Sequence, residues 1–257
     1  MLTHGQPRPS SARVGKPQGC DSSVNRATEG KNPPLHGIRA CVFDAYGTLF
    51  DHASAALRCR DALGEKLEEL VSLWRTKQLQ YTWLRSLQSR HADFWQVTGD
   101  ALDFALETVG IEDGRLRERL MDLYLTLEPF PDVPEALTRL QAAGLKTAIL
   151  SNGTHAMLEA AVNSAGLGGL IDAIYSVDAV GIFKPHPNVY RLATTGLGMP
   201  ADAIAFQSAN AWDAYAASAF GMRVVWCNRY RQRPERLPGQ PDREIESLTE
   251  LPQLVGA

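Results

Sequence analysis

A single aspartate ends the first apolar run of the chain and is well placed for nucleophilic chemistry. Residues 38–43 form this run, Asp44 follows it directly, and Gly47 and Thr48 come within the next four positions. A carboxylate can attack carbon or phosphorus and leave an ester that water then splits. Gly47 permits a tight turn after the strand, and the Thr48 hydroxyl could hydrogen-bond the carboxylate and fix its orientation. Asp44 is therefore a candidate nucleophile, and a helix cap or a turn residue is the alternative for an aspartate taken alone.

Further polar residues follow later apolar runs in the same way. The runs cover residues 146–150, 173–177, 204–206 and 223–227, and helical patterns between them cover 134–143, 156–165, 189–196 and 212–220. Strands that alternate with helices of this length predict βαβ units and a parallel sheet. Ligands of such sheets bind at the carboxyl ends of the strands. This rule directs attention to Asp44, Ser151, Asn152, Lys184 and the segment 208–213.

Residues 51–130 interrupt this alternation and contain no strand-like run. They carry three apolar stripes at helical spacing. The stripes are Leu63, Leu67, Leu70, Val71 and Trp74; Leu102, Ala105, Leu106 and Val109; and Leu116, Leu120, Leu123 and Leu127. We predict an α/β protein with a Rossmann-like parallel sheet core, formed by residues 38–50 and 131–257. A helical cap subdomain at 51–130 is inserted after the first strand.

The composition of the chain limits its possible binding partners and indicates its cellular compartment. Residues 1–37 hold five of the fifteen prolines and no aromatic residue, so we predict a disordered N-terminal extension. The net charge of −3 indicates no nucleic-acid partner, and no apolar run approaches the roughly 20 residues that span a membrane. Four scattered cysteines and no secretory segment favour the cytoplasm. The six histidines show no ligand spacing, and none is expected to be catalytic.

Five segments, taken together, resemble the L-2-haloacid dehalogenases (type II) of the haloacid dehalogenase superfamily. The first is Phe43-Asp44-Ala45-Tyr46-Gly47-Thr48-Leu49-Phe50, which resembles the nucleophile loop of the whole superfamily. The others are Trp74-Arg75 with residues 78–87, Leu150-Ser151-Asn152-Gly153, Lys184-Pro185 with Tyr190, and Ser208-Ala209-Asn210-Ala211-Trp212-Asp213. The resemblance covers roughly residues 38–250, and five motifs in this order are highly specific.

The resemblance implies a role for each matching residue. Asp44 is the nucleophile, Arg75 takes the substrate carboxylate or the departing halide, and Lys184 neutralises the surroundings of the nucleophile. Asn210 supports the Asp44 carboxylate, and Asp213 activates or orients the water that cleaves the ester. The implied catalytic set is Asp44, Thr48, Arg75, Lys184, Ser208, Asn210 and Asp213. The implied substrate-binding set is Tyr46, Arg75, Leu79, Phe94, Ser151, Asn152, Tyr190 and Trp212.

The implied reaction is the hydrolysis of a short (S)-2-haloacid to an (R)-2-hydroxy acid and halide, by a homodimer that needs no cofactor and no metal. The main alternative is a metal-dependent phosphatase of the same superfamily. Phosphatases carry a second aspartate where this chain has Tyr46, and an acidic pair where it has residues 208–210. A non-catalytic binding module is a further alternative, against which the full catalytic set counts. Thr76 stands where the family commonly has glutamine, which changes the polarity of the pocket.

Overall fold

One parallel sheet of six strands organises the protein, whose computed structural model describes residues 33–257. The strands are β1 (Ala40–Phe43), β2 (Lys146–Ser151), β3 (Ala173–Ser176), β4 (Ile204–Ser208), β5 (Arg223–Cys227) and β6 (Arg243–Ile245). Their order is β3-β2-β1-β4-β5-β6, so β1 lies inside the sheet between β2 and β4. Every residue of β1 is fully buried. A strand covered on both faces must be apolar throughout, which explains the continuous run before Asp44.

The first five α-helices that follow β1 in the described part of the chain form the cap. They are α1 (Ser54–Leu57), α2 (Arg60–Leu63), α3 (Leu67–Leu87), α4 (Phe94–Thr108) and α5 (Gly114–Tyr124). The Trp74 indole on α3 donates a 2.9 Å hydrogen bond to the Thr98 carbonyl on α4, which fixes the two longest cap helices against each other. The segment that leads into the cap and the segment that leads out of it are joined by a backbone bridge between Phe50 and Pro129. The bridge lies next to the cap limits of 51 and 130, which stay a prediction.

The remaining helices flank the sheet. They are α6 (Val133–Ala142), α7 (His155–Ser164), α8 (Pro187–Leu197), α9 (Ala211–Phe220) and α10 (Leu251–Leu254). The side chain of Thr154 accepts a hydrogen bond from the Met157 amide and so begins α7 just after the end of β2. Gly221 ends α9 with a φ of +106°, a conformation that a side chain would strain. The predicted Rossmann-like core with its inserted helical cap is confirmed.

Two details differ from the sequence-based expectation. Strand β6 was not predicted, because three residues that include Arg243 and Glu244 do not resemble an apolar run. The predicted N-terminal extension falls mainly on residues 1–32, which lie outside the described part of the chain. Its last five residues belong to the domain instead: Leu35 is buried, and its amide donates a 2.7 Å hydrogen bond to the carbonyl of Leu254. No helix within residues 33–257 is long and apolar enough to cross a bilayer.

Candidate active site

The Asp44 carboxylate lies just beyond the end of β1 and is held by three donors. Its Oδ2 accepts hydrogen bonds from the Thr48 hydroxyl at 3.2 Å and from the Asn210 amide at 2.8 Å. Its Oδ1 accepts one from the Lys184 ammonium at 3.1 Å. The backbone amide of Asp44 continues the sheet by donating to the carbonyl of Gln207. These three donors fix the orientation of the carboxylate at the strand end, as a nucleophile requires.

Lys184 bridges two buried carboxylates. Its Nζ lies 2.7 Å from Oδ2 of Asp213, in addition to its contact with Asp44. Oδ1 of Asp213 accepts a 2.6 Å hydrogen bond from the Tyr190 hydroxyl. Since Lys184, Asp213 and Tyr190 are each almost completely buried, this network is shielded from water. The cluster contains two acids, Asp44 and Asp213, and one cation, Lys184. Its net charge is therefore negative at the nucleophile.

Burial and charge shift the acid–base properties of this cluster in definite directions. Burial raises the pKa of Asp213 above its ordinary value, and although the Lys184 cation opposes this shift, the Asp44 charge adds to it. Burial alone would lower the pKa of Lys184, but the charges of Asp213 and Asp44 outweigh burial and raise it. Burial, together with the charge of Asp213, raises the pKa of Tyr190 well above its usual range. Tyr190 therefore remains a protonated donor, and Asp213 is a stronger base than an exposed aspartate.

The loop after β4 positions the partners of Asp44. The Ala209 amide donates a 2.8 Å hydrogen bond to the Thr48 hydroxyl, which in turn donates to Asp44. The buried Ser208 hydroxyl accepts a 3.1 Å hydrogen bond from the backbone amide of Asn210. Ser208 thus shapes the loop that presents Asn210, and its side chain does not bond to Asp44 itself.

The loop after β2 brings Ser151 and Asn152 to the same edge of the sheet. Oδ1 of Asn152 accepts a 2.9 Å hydrogen bond from the backbone amide of Lys184, and so fixes the segment that carries the lysine. The Ser151 hydroxyl accepts a 3.2 Å bond from the Gly153 amide. A Cβ atom on Gly153 would lie only 2.8 Å from the Tyr46 hydroxyl oxygen. Glycine is therefore needed here for the close approach of Tyr46.

Arg75 reaches the site from the cap. Its Nη2 donates to Oδ1 of Asn210 at 3.1 Å and to the Tyr46 carbonyl at 3.5 Å, and its Nη1 donates to Oε1 of Gln78 at 2.8 Å. Gln78 is itself fixed by its donation to the hydroxyls of Thr98 and Tyr124. The guanidinium thus joins α3 to the loop after β4 and lies next to the residue that holds Asp44.

Aromatic side chains line the site on the cap side. The Tyr46 ring centroid lies 5.5 Å from that of Phe94 and 5.4 Å from that of Tyr124. Trp212 packs edge-on against Trp83 at 5.5 Å. Both indoles border an open groove of about 840 Å³ whose lining includes Lys184 and Tyr190 but not Asp44, Arg75 or Asn210. Such rings favour an alkyl group over a highly charged ligand. Leu79 is half-buried on α3, and its place in the pocket stays a prediction.

The comparisons with known proteins agree with this geometry. The model of the haloacid dehalogenase-like hydrolases matches residues 38–221. The chain belongs to the haloacid dehalogenase-like hydrolases. (S)-2-haloacid dehalogenase 1 from Pseudomonas sp. (strain CBS-3) is 47% identical to it over 220 residues, which cover 85% of this chain and 96% of that protein. (S)-2-haloacid dehalogenase 4A from Burkholderia cepacia is 44% identical over 218 residues, which cover 84% of this chain and 94% of that protein.

Solved structures of the family are similar over the same length. The L-2-haloacid dehalogenase from Xanthobacter autotrophicus with covalently bound chloropropionic acid has a TM-score of 0.80 at 39% identity. The similarity covers 86% of this chain and 99% of that chain. The resemblance to the L-2-haloacid dehalogenases that the motifs indicated is therefore confirmed.

Not every residue of this haloacid dehalogenase-like site was predicted from the sequence. Gln78 accepts a hydrogen bond from Arg75, and Thr98 and Tyr124 fix Gln78. Gln78 lies in a segment that resembles the family but has no implied role, and Thr98 and Tyr124 were not predicted. One signal was present, because Gln78 follows Arg75 by three positions and so lies on the same face of a helix. The partners on α4 and α5 could not be found in this way, since they depend on how three helices pack.

Proposed function

We propose that this chain hydrolyses short (S)-2-haloalkanoates to (R)-2-hydroxy acids and free halide, through an ester formed on Asp44. The observation that carries the proposal is the buried Asp44 carboxylate, held by Thr48, Asn210 and Lys184 beside an aromatic wall. The names of the relatives support the same substrate class. No cofactor takes part in the proposed reaction.

In the first step, an Asp44 oxygen attacks the α-carbon and forms a C–O bond while the carbon–halogen bond breaks. The electron pair of that bond leaves with the halide, and the α-carbon is inverted. Arg75 binds the substrate carboxylate or the halide, because a guanidinium is always charged and planar. Ser151 and Asn152 bind the carboxylate and halide from the loop after β2. Tyr46, Leu79, Phe94 and Trp212 surround the alkyl group.

In the second step, water attacks the carbonyl carbon of the ester. Asp213 takes a proton from that water, and its raised pKa makes it more suited to this task. Lys184 stabilises the negative charge that develops on the ester oxygen. The bond between the carbonyl carbon and the alkoxide oxygen then breaks, and the alkoxide takes the proton from Asp213 and leaves as the 2-hydroxy acid. Asp44 is restored with one oxygen from water, and one proton enters the solvent.

Ion chromatography of halide release from the two enantiomers of 2-chloropropionate tests the proposal. We expect the (S) enantiomer to yield one chloride and one (R)-lactate per turnover, and the (R) enantiomer to yield neither. Asp44→Asn, which keeps the size of the side chain but removes the nucleophilic carboxylate, is the matched inactive control. Chloride release by this verified variant at the wild-type rate would refute the proposed nucleophile.

A phosphatase on the same fold is the alternative that the shared nucleophile loop leaves open. Tyr46 occupies the position where superfamily phosphatases carry their second aspartate, and its ring packs on Phe94. Among residues 33–257, no group of three or more His, Cys, Asp or Glu side chains is arranged to hold a metal ion. We expect halide release to survive EDTA, and p-nitrophenyl phosphate to remain uncleaved with Mg²⁺ present. Strict dependence on a divalent ion would favour the phosphatase.

We also propose that the enzyme is a cytoplasmic homodimer. Exposed leucines on α3 support the dimer, since Leu84 is 50% and Leu87 82% exposed, and adjacent exposed apolar residues mark interaction surfaces. The free cysteines Cys41, Cys59 and Cys227 agree with a reducing compartment. Light scattering of the wild type and of Leu87→Lys tests the dimer: we expect the variant to be more monomeric.

A further inference from the structure

His52 has a buried nitrogen beside the active site that no other described residue bonds. The residue lies in the crossover from β1 to the cap. Its Nδ1 is inaccessible to solvent and has no hydrogen-bond partner within residues 33–257. A Cβ atom on Gly47 would lie 3.6 Å from this nitrogen and 3.9 Å from Nδ2 of Asn210. His52 therefore packs over the nucleophile loop, close to a residue that holds Asp44.

A buried acceptor without a partner is costly, because it has lost its bond to water. Such atoms in native proteins are usually satisfied by an ordered water molecule. Burial, with a contribution from the Arg75 charge, lowers the pKa of His52 from 6.5 to about 3. The imidazole is thus neutral at physiological pH, and a neutral ring can accept a hydrogen bond on one nitrogen.

A small cavity next to His52 has the size of one water molecule. Its volume is about 10 Å³, close to the minimum that a single water requires. The lining residues are His52, Val71, Trp74, Arg75, Gln78 and Tyr124. Three of them, Arg75, Gln78 and Tyr124, carry polar groups that belong to the network around the guanidinium. A water in this cavity would therefore find the two to four partners that it needs.

Arg75 has donors left for such a water. A guanidinium carries five N–H groups, and the contacts to Gln78, Asn210 and Tyr46 engage three of them. Two N–H groups remain for other partners. The longest of the three contacts, 3.5 Å to the Tyr46 carbonyl, is weak. One additional fixed acceptor would therefore restrict the orientation of the guanidinium.

We propose that His52 is a positioning residue for Arg75, and that it acts through one water molecule bound in this cavity. The water donates a hydrogen bond to Nδ1 of His52 and accepts one from the guanidinium. The remaining N–H of Arg75 is then directed at the substrate carboxylate or the halide. The inference rests on the proposed function for the role of Arg75, whereas the bound water itself can be observed independently of activity.

Two variants separate this role from simple packing. His52→Phe keeps a ring of similar shape but removes the acceptor, and His52→Asn keeps a polar acceptor on a shorter side chain. We expect His52→Phe to raise KM for (S)-2-chloropropionate about tenfold, with a smaller change in kcat, because a hydrogen bond to a charged group is lost. We expect His52→Asn to recover most of this loss. His155→Phe, which replaces an exposed histidine on α7, is the control and should leave KM unchanged.

Thermal unfolding distinguishes positioning from a structural role. We expect the Tm of His52→Phe to stay close to the wild-type value, since a ring of similar size fills the same space and only a water-mediated hydrogen bond is lost. A wild-type KM in His52→Phe, or a loss of Tm that parallels the loss of activity in both variants, would overturn the inference.

A crystal structure of the wild type tests for the proposed water even if the variants fail to fold. Electron density for one water within hydrogen-bond distance of His52 Nδ1 and of Arg75 is the expected result. A dry cavity, or a halide in its place, would contradict the proposal. If the wild type releases no halide from any 2-haloacid, the proposed function fails while the position of this water still tests the inference.

Discussion

The ammonium group of Lys184 donates to Oδ1 of Asp44 over 3.1 Å, whereas the two neutral donors of the site both bond Oδ2. The two oxygens of the nucleophile are thus held by different kinds of partner. Because the lysine also contacts Asp213 at 2.7 Å, the two buried carboxylates share one cation. Loss of this cation would leave like charges unpaired in a site with almost no water.

Lys184→Met is therefore expected to impair both activity and stability. Removing one member of a buried ionic group costs about 3–5 kcal/mol, because the remaining charges stay desolvated. We expect kcat to fall at least a hundredfold and the free energy of unfolding in urea to fall by this amount. Adding Asp213→Asn should recover part of the stability and none of the activity. A single variant as stable as the wild type would show that the carboxylates are not ionised together.

Tyr190→Phe tests the contact between the tyrosine hydroxyl and Asp213, which spans 2.6 Å. This hydrogen bond lowers the pKa of Asp213 and so opposes the effect of burial. Without it, the pKa of Asp213 should rise further, and the acid limb of the pH profile of kcat should move to higher pH. We expect kcat at neutral pH to fall about tenfold with the fold retained. An unshifted acid limb would show that a different group controls the profile.

Gly153→Ala tests how closely the nucleophile loop and the loop after β2 approach each other. The new methyl group would lie 2.8 Å from the Tyr46 hydroxyl and 3.1 Å from Cδ2 of Leu158. Overpacking of this kind costs about 1–3 kcal/mol, and here it should displace the aromatic wall as well. We expect a higher KM and a lower Tm. Gly169→Ala, where a Cβ atom meets no neighbour within 4 Å, is the matched control.

The sequence was most informative where function depends on short segments. Asp44 follows β1 directly, Ser151 ends β2, and Asp213 lies a few residues beyond β4. The carboxyl ends of parallel strands bring such positions to one edge of the sheet. The supporting network of Gln78, together with His52, was not foreseen. A polar residue inside a cap helix has the same local pattern whether it faces solvent or a buried partner, and only the packing of the cap decides between these.

The position of Leu35 gives a prediction about the start of the domain. Its side chain is 3% exposed, and its amide bonds the carbonyl of Leu254 near the C-terminus. We expect removal of residues 1–32 to leave Tm and activity nearly unchanged, since they hold no aromatic and few aliphatic side chains. Removal of residues 1–36 should lower the stability by about 2–5 kcal/mol, as for other buried leucines. Equal Tm values for the two truncations would show that Leu35 contributes nothing.

The origin of the product oxygen distinguishes the two hydrolytic routes that the site allows. Asp44 can attack the α-carbon itself, or it can activate a water that attacks that carbon. Both routes invert the α-carbon once, so the stereochemistry of the product cannot separate them. On the ester route, the hydroxyl oxygen of the product comes from Asp44, and the oxygen of water stays in the aspartate carboxylate.

We expect the ester route, because Lys184 and Asn210 orient Asp44 and because Asp213 is a separate base for water. A single turnover with excess enzyme in ¹⁸O-water should give unlabelled 2-hydroxy acid, with the label in the peptide that contains Asp44. Mass spectrometry of the acid and of the digested protein measures both. Repeated turnovers serve as the control, since a labelled Asp44 must then transfer ¹⁸O to later product molecules. Label in the first product, with none in that peptide, would mean that Asp44 acts as a base.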